Sequence, residues 1–293
     1  MHIPVLLREV TEAFNPQPNE NYIDCTLGNG GHTQAILERT APNGKVLGID
    51  WDEKALQATK ELLKEKGLLK RVTLVHGNYA EVATIAKEHN FPAPSGILLD
   101  LGYSSNQIDE IERGFSFQRK APLDMRYDSS NPDTAEKLIN FQSRGDLEQM
   151  LKELGEEEFA GPIANEIVEA RNTKPIDNTI QLVEIIKKAT PAWYHKRRIN
   201  PATKTFQALR IAVNRELENL EQGLPQALNV LKPQGILAVI SFHSLEDKVI
   251  KEFARENTEE LILLTKKPIT PSKKEVEKNK RSSSGKLRTM KKK

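Results

Sequence analysis

The regular spacing of short apolar strands most restricts the fold of this chain. Four β-rich runs begin about 25 residues apart, at residues 22–27, 45–50, 72–76 and 96–101. Segments with helical character, such as residues 53–66 and 79–89, fill the gaps between them. This alternation predicts βαβ units. Because the strands are continuously apolar, it also predicts a parallel sheet covered on both faces.

The regular spacing stops after the fourth strand. The next strong strand, residues 235–241, follows more than a hundred residues later, which is too long for an ordinary crossover. The intervening segment has apolar residues at helical spacing, including Phe159, Ile163 and Ile167, and a candidate helix cap at Asn178. We therefore predict an α/β core formed by residues 1–108 and 205–293, with an α-helical insertion at residues 109–204. Residues 261–265 and 287–290 are expected to complete the sheet.

Composition excludes several classes of protein. The single cysteine, Cys25, cannot form an internal disulfide or a thiol-built metal centre, so we expect a reducing cytoplasm and no metal. No apolar run approaches the ~18 residues that a membrane span requires, and the first residues do not resemble a secretory signal. We expect no association with a membrane.

The net charge of +2 conceals an uneven distribution of charge. Residues 266–293 hold 12 Lys or Arg against 2 Asp or Glu, while the first 265 residues hold 31 against 39. A basic C-terminus is either a solvated tail or an arm that binds a polyanion by releasing its counterions. Both interpretations stay open from the sequence.

A glycine-rich turn after the first strand predicts a nucleoside cofactor. Gly28, Gly30 and Gly31 allow positive φ and a close approach to the backbone, and His32 follows them. A helix beginning there offers free N–H groups and a partial positive charge. Asp50 ends the second strand about twenty residues later, where a carboxylate can bind ribose hydroxyls.

Two residues favour S-adenosylmethionine over a nicotinamide cofactor. Thr33 stands where a dinucleotide fingerprint has its third glycine. Asp24, just before the turn, is poorly placed beside a pyrophosphate but suits a ligand that carries an ammonium and a sulfonium. The alternative for Asp24 is a residue that stabilises the turn or caps the helix.

Polar residues follow the fourth and fifth strands, at the edge where parallel sheets bind ligands. Asp100 is followed by Ser104 and Gln107, and His243 stands between Ser241 and Asp247. A serine hydrolase is disfavoured because the chain lacks a G-x-S-x-G elbow. Glu246 and Asp247 have a simpler interpretation as acidic residues that begin a helix.

Aromatic and basic residues occur together near the insertion. Arg113 and Phe115 precede Arg126, and residues 193–198 repeat the combination as Trp-Tyr-His-Lys-Arg-Arg. Such side chains stack on bases and bind phosphates, although a packed loop has the same composition. Together with the basic C-terminus, these segments favour a nucleic acid as partner.

These motifs, taken in order, resemble one family over essentially the whole chain: the bacterial 16S rRNA cytosine-N4 methyltransferases, known as the RsmH or MraW family. The resemblance rests on segments with the sequences HIPVLL, GGH, DLGYSS, RGFSF, PLDMR, FQALRI and SFHSLED, which begin at residues 2, 30, 100, 113, 122, 206 and 241. It implies a Rossmann-like class I methyltransferase sheet with an inserted helical domain for substrate recognition. S-adenosylmethionine would be the methyl donor, and a cytosine of the decoding region the acceptor.

The resemblance also implies site residues. The cofactor would contact Gly30, Gly31, His32, Asp50, Tyr79, Asp100 and Gln107. The chain departs from the family at Tyr79, where phenylalanine is usual, and at residues 200–204, which read NPATK instead of HPATR. An arginine-rich stretch of the family is also thinned at residues 281–286.

We expect Asp100 to be the catalytic residue, either by orienting the cofactor or by accepting a hydrogen bond from the cytosine amine. Ser104, Arg113, Phe115, Arg126 and His243 are expected to bind substrate. The partner would be 16S rRNA, within the small ribosomal subunit, and a homodimer is left open. Two alternatives are a nicotinamide-dependent oxidoreductase and a non-catalytic RNA-binding factor for ribosome assembly.

Overall fold

The computed structural model describes residues 4–102 and 110–293. The chain divides into unit 1, Met1–Gly102 with Leu217–Lys293, and unit 2, Tyr103–Glu216. Unit 2 therefore ends at residue 216, whereas the sequence placed the boundary at 204. The difference arises because Phe206, Leu209 and Val213 belong to the apolar core of unit 2.

In the described part of unit 1, seven strands form one sheet of order β3-β2-β1-β4-β5-β7-β6. The strands are β1 (Tyr22–Asp24), β2 (Val46–Asp50), β3 (Val72–His76), β4 (Gly96–Asp100), β5 (Ile236–Ser241), β6 (Leu261–Leu263) and β7 (Lys286–Lys292). The first five are parallel to one another, and β7 runs antiparallel between β5 and β6. Every strand predicted from the sequence is present, and the α/β fold class is confirmed.

Apolar residues from successive strand positions belong to different clusters. Ile23, Leu47 and Leu99 join one buried cluster, while Tyr22 and Leu98 join a second. Neighbouring residues in a strand point to opposite faces, so each face of the sheet has its own apolar layer. The helices that accompany this sheet in sequence are α1 (Leu7–Phe14), α2 (Gly31–Arg39), α3 (Glu53–Glu65), α4 (Val82–Glu88), α10 (Glu216–Val230), α11 (Ser244–Glu256) and α12 (Lys273–Lys278). The labels α5 to α9 belong to unit 2.

The basic C-terminus ends inside the sheet. Leu287 and Met290 of β7 are fully buried, and Arg288 forms a buried ion pair with Asp247 of α11 at 2.6 Å. The ammonium of Lys292 donates to the carbonyl oxygens of Leu228 and Leu231 at 2.7 and 2.8 Å. The solvated-tail interpretation is therefore wrong for β7. The lysines of residues 266–280, in contrast, are exposed.

Unit 2 is helical, with α5 (Ala135–Phe141), α6 (Arg144–Gly155), α7 (Ala160–Thr173), α8 (Thr179–Ala189) and α9 (Ala202–Asn214). The predicted cap at Asn178 is confirmed, since its side chain accepts a hydrogen bond from the Gln181 N–H at 3.1 Å. Ile163 and Ile167 lie in the core as their spacing predicted. Across residues 4–102 and 110–293, no helix has both the length and the apolar character that crossing a membrane requires.

Candidate functional site

The turn between β1 and α2 is built from glycines in the left-handed region. Gly28 has φ +48° and Gly30 has φ +70°, and the Gly30 N–H donates to the carbonyl of Leu27 at 2.8 Å. A Cβ on Gly30 would lie 2.5 Å from the methyl carbon of Thr59, and one on Gly31 would lie 2.2 Å from Cγ of Pro4. Only glycine satisfies both the backbone conformation and the packing at Gly30.

Asp50 connects this turn to the end of β2. Its two carboxylate oxygens accept from the N–H groups of Gly28 and Asp52, at 2.7 and 2.9 Å. Burial raises the pKa of Asp50 to about 6, against the opposing effect of these two hydrogen bonds. A carboxylate offers about four acceptor positions, so two are left for the hydroxyl groups of a ligand.

Asp24, at the end of β1, accepts a hydrogen bond on each of its carboxylate oxygens. One oxygen accepts from the hydroxyl of Thr33 at 2.7 Å and the other from the Thr26 N–H at 3.3 Å. Burial raises the pKa of its carboxyl group, while the nearby His32 opposes that shift. These hydrogen bonds fit the interpretation in which Asp24 stabilises the turn, and its contact with the ammonium of a ligand stays a prediction.

Asp100 and His32 are brought together from two different motifs. The backbone N–H of Asp100 donates to the hydroxyl oxygen of Thr26 at 2.7 Å, and its Oδ2 lies 3.6 Å from Nε2 of His32. Among the described residues, neither ring nitrogen of His32 nor Oδ1 of Asp100 has a hydrogen-bond partner, although these atoms are buried. Buried polar atoms without partners are costly in a folded protein, which makes this the place where a polar ligand fits.

Tyr79 begins a short 3-10 turn after β3 and is almost completely buried, with 4% of its surface exposed. Its ring meets the ring of Trp51 edge to face, with centroids 5.6 Å apart. A Cβ on Gly223 of α10 would lie 2.8 Å from the Tyr79 ring, so the ring is tightly packed. Sequence reasoning missed the half-buried Trp51, although an aromatic residue directly after Asp50 was a usable signal.

His243 caps the helix that follows β5. Its Nδ1 accepts from the Glu246 N–H at 3.4 Å, and the Glu246 carboxylate accepts from the N–H groups of Phe242 and His243. This reciprocal pairing is a capping box that starts α11. The acidic residues Glu246 and Asp247 lie in the first turn of that helix, as the sequence predicted.

The predicted substrate residues of unit 2 are engaged within that unit. Arg113 forms an ion pair with Glu110 at 2.9 Å and donates to the carbonyl oxygen of Tyr127 at 2.9 Å. Arg126 forms two hydrogen bonds to the carboxylate of Asp124, at 2.9 and 2.8 Å. Phe115 stacks on the ring of Tyr127 with centroids 5.6 Å apart. These contacts match the packed-loop interpretation.

Two further predicted residues, Ser104 and Gln107, lie outside the described residues. The structure therefore brings together Gly30, Gly31, His32, Asp50 and Asp100 at one edge of the sheet. Polar groups that bind and orient a nucleoside are available there, and a carboxylate lies beside them.

Comparison with solved structures agrees with the fold. A protein of Clostridium thermocellum, assigned as an rRNA methylase, has a solved structure that superposes with a TM-score of 0.51 at 14% identity, covering 100% of both chains. NSun6 of Pyrococcus horikoshii superposes with a TM-score of 0.50 at 13% identity, covering 99% of this chain and 53% of its own. The fold is that of the Rossmann-like class I S-adenosylmethionine-dependent methyltransferases.

Sequence relatives define the family. The model of the MraW methylase family matches residues 1–293. Ribosomal RNA small subunit methyltransferase H of Trichlorobacter lovleyi is 44% identical over 99% of this chain and 98% of its own. Its counterpart in Symbiobacterium thermophilum is 48% identical over 87% of this chain and 80% of its own. The chain belongs to the MraW methylase family.

The turn geometry predicts a difference between two glycines. Gly30 and Gly67 both have φ +70°, but a Cβ on Gly67 would meet nothing within 4 Å. Gly67→Ala should cost only the backbone strain, about 1–2 kcal/mol of the free energy of unfolding. Gly30→Ala should cost more, because the new methyl group also meets Thr59, and urea unfolding measures both changes.

The double variant Gly30→Ala/Thr59→Ser identifies the cause. Serine removes the methyl group of Thr59 and keeps the hydroxyl that donates to the Gly28 carbonyl at 2.7 Å. In the double variant, the loss in the free energy of unfolding should fall to the loss measured for Gly67→Ala. Equal costs at the two glycines, or no recovery, would contradict the packing argument.

Proposed function

We propose that this protein transfers the methyl group of S-adenosylmethionine to the N4 amine of a cytosine in the decoding region of 16S rRNA. The observation that carries the proposal is the edge of the sheet where Asp50 binds the glycine turn and Asp100 faces His32. The names of the relatives support an rRNA substrate. Nothing in the comparisons supports the nicotinamide-dependent oxidoreductase or the non-catalytic assembly factor.

The geometry and the family resemblance support a set of cofactor-binding residues. Gly30, Gly31 and His32 would lie along the cofactor, Asp50 would accept from its ribose hydroxyls, and Tyr79 would pack beside its adenine. Gln107 would complete the site together with Asp100. When bound, the cofactor supplies an electrophilic methyl group on a sulfonium centre.

Asp100 is the proposed catalytic residue. The N4 amine of cytosine is a weak nucleophile because its lone pair is delocalised into the ring. Oδ1 of Asp100 has no partner among the described residues, so it can accept an N–H of that amine. Such a hydrogen bond favours a pyramidal nitrogen with an available lone pair, and the alignment of base and methyl group lowers the barrier further.

Unit 1 would hold the cofactor and unit 2 would recognise the RNA. Ser104 and His243 are proposed to contact the target base, which must be unpaired or exposed at a cost of a few kcal/mol. Phe115, Arg113 and Arg126, which are partly exposed, would contact the RNA. We place the reaction in the cytoplasm, on RNA within the small ribosomal subunit.

The direct test is methyl transfer to RNA. Purified protein is incubated with S-adenosylmethionine labelled in its methyl group and with small ribosomal subunits that lack the modification. Nucleoside analysis should recover the label in N4-methylated cytidine. Label in another nucleoside, or tight binding of a nicotinamide dinucleotide without methyl transfer, would contradict the proposal.

The role of Asp100 is tested by Asp100→Asn. The amide keeps the size of the side chain but loses the charge that accepts the amine N–H, so the single-turnover rate should fall by roughly 10²–10⁴-fold at saturating cofactor. An Asp100→Asn protein that binds cofactor normally and keeps the wild-type rate would refute the role.

The raised pKa of Asp50 predicts that cofactor binding depends on pH. With a pKa of about 6, Asp50 is mostly protonated at pH 5 and ionised at pH 7. Only the carboxylate accepts from both ribose hydroxyls, so affinity for S-adenosylmethionine should rise roughly tenfold from pH 5 to pH 7. Calorimetric titration measures this, and Asp50→Asn should bind more weakly with a flat profile over the same range.

Asp50 affects the free energy of unfolding with the opposite dependence on pH. Its pKa in the folded chain lies above the ordinary value of 3.8, so the folded chain holds this proton to a higher pH than the unfolded chain. Its contribution to stability is present below about pH 4 and is lost as the pH rises through about 6.

Tighter cofactor binding at pH 5 than at pH 7 would contradict the assignment of Asp50 to the ribose.

A further inference from the structure

An exposed aromatic ring in unit 2 has no role in the apolar core. Trp193 has 53% of its surface exposed, whereas the next residue, Tyr194, is buried. His195, Lys196, Arg197 and Arg198 follow and are all exposed. We call Trp193, Lys196, Arg197 and Arg198 the Trp193 platform. Exposing an indole ring forgoes the free energy that its burial would supply.

Contacts of Tyr194 and Phe159 hold the Trp193 platform in place. The hydroxyl of Tyr194 donates to both carboxylate oxygens of the buried Glu157, at 3.0 Å each. The ring of Phe159 meets the rings of Tyr194 and Trp193 edge to face, with centroids 4.8 and 5.7 Å away. The indole is therefore positioned by packing, so a ligand that stacks on it would not have to order it first.

Arg197 fixes the orientation of the indole from one side. Its guanidinium carbon lies 4.8 Å from the centroid of the Trp193 ring and 4.9 Å from that of Tyr194. Arg197 also forms an ion pair with Glu158. Arg197 therefore lies over the Trp193 ring, and more than half of the surface of Trp193 stays exposed to a planar ligand.

The charges around the indole favour a polyanion. Glu158 is paired with Arg197 and Glu157 is bonded to Tyr194, so two of the nearby carboxylates are already engaged. Lys196 and Arg198 are exposed, and no ion pair of either is found among residues 4–102 and 110–293. A half-exposed indole followed within five residues by two exposed cations matches single-stranded nucleic acid, in which bases alternate with phosphates.

We propose that the Trp193 platform binds a single-stranded stretch of the RNA substrate. One base stacks on the exposed surface of Trp193, and Lys196 and Arg198 contact the adjacent phosphates. The inference rests on the proposed function, because it takes RNA as the substrate. It adds further RNA contacts to those proposed for Arg113, Phe115 and Arg126.

The test measures RNA binding without requiring catalysis. A fluorescein-labelled single-stranded RNA of about 12 nucleotides is titrated with the full-length protein, and anisotropy gives its affinity. Trp193→Leu should weaken binding roughly 5- to 100-fold, and Trp193→Phe should recover most of the loss because phenylalanine also stacks. Phe141→Ala is the matched control, since Phe141 is an aromatic residue of the same unit with 83% of its surface exposed.

The cations are tested by the salt dependence of binding. Lys196→Gln and Arg198→Gln should each reduce the slope of log K against log salt by about 0.7, the value for one phosphate contact on a single strand. Lys152→Gln, at an exposed position of α6, should leave the slope unchanged. Thermal unfolding and calorimetric cofactor binding confirm that each variant is folded.

The outcomes separate the two proposals. If the wild-type protein methylates RNA but the platform variants bind RNA as tightly as Phe141→Ala, the platform is not an RNA site. Loss of activity on assembled subunits with unchanged binding to free RNA would assign the platform to a protein partner and overturn the inference. If RNA binding follows the platform variants but no methyl transfer occurs, the proposed function fails and the RNA surface stands.

Discussion

The hydrogen bond from the Gly28 N–H to the Asp50 carboxylate, at 2.7 Å, is the contact on which the site depends. It joins the glycine turn after β1 to the end of β2, so that backbone N–H groups and a carboxylate occupy one edge of the sheet. The same carboxylate accepts from Asp52, whose side chain caps α3 and thereby orients the next helix. Because Asp50 is buried, its pKa is raised and its charge responds to pH in the range where the enzyme would bind cofactor.

Asp24, His32 and Asp100, the polar side chains beside this turn, differ in their hydrogen-bond partners. Asp24 has partners for both carboxylate oxygens within the turn, so it contributes to the fold. In the described part of the chain, His32 and Oδ1 of Asp100 have none, so binding a ligand would satisfy them. An unpaired buried polar atom is costly, and the proposed cofactor would remove that cost on binding. This contrast supports assigning the chemistry to Asp100 rather than Asp24.

Contacts and exposure also distinguish the two aromatic and basic segments of unit 2 from each other. Arg113 and Arg126 are held by carboxylates and carbonyl oxygens, and Phe115 stacks on Tyr127. Trp193 is also anchored, by Phe159 and Arg197, yet more than half of it stays exposed. Similar compositions thus produce a packed loop in one place and an accessible stacking surface in the other. Composition alone does not separate these two outcomes.

Local pattern determined the strands, the parallel sheet and the helical insertion, because apolar periodicity is carried by residues close in sequence. The glycine turn, Asp50 and Asp100 were predictable for the same reason, since each follows a recognisable strand. Only the tertiary structure decided that β7 runs antiparallel between β5 and β6, that unit 2 extends to Glu216 and that Trp51 packs on Tyr79. These features depend on contacts between distant residues, such as Arg288 with Asp247, 41 positions apart. The free energy of such contacts comes from burial and pairing in three dimensions, which no local pattern records.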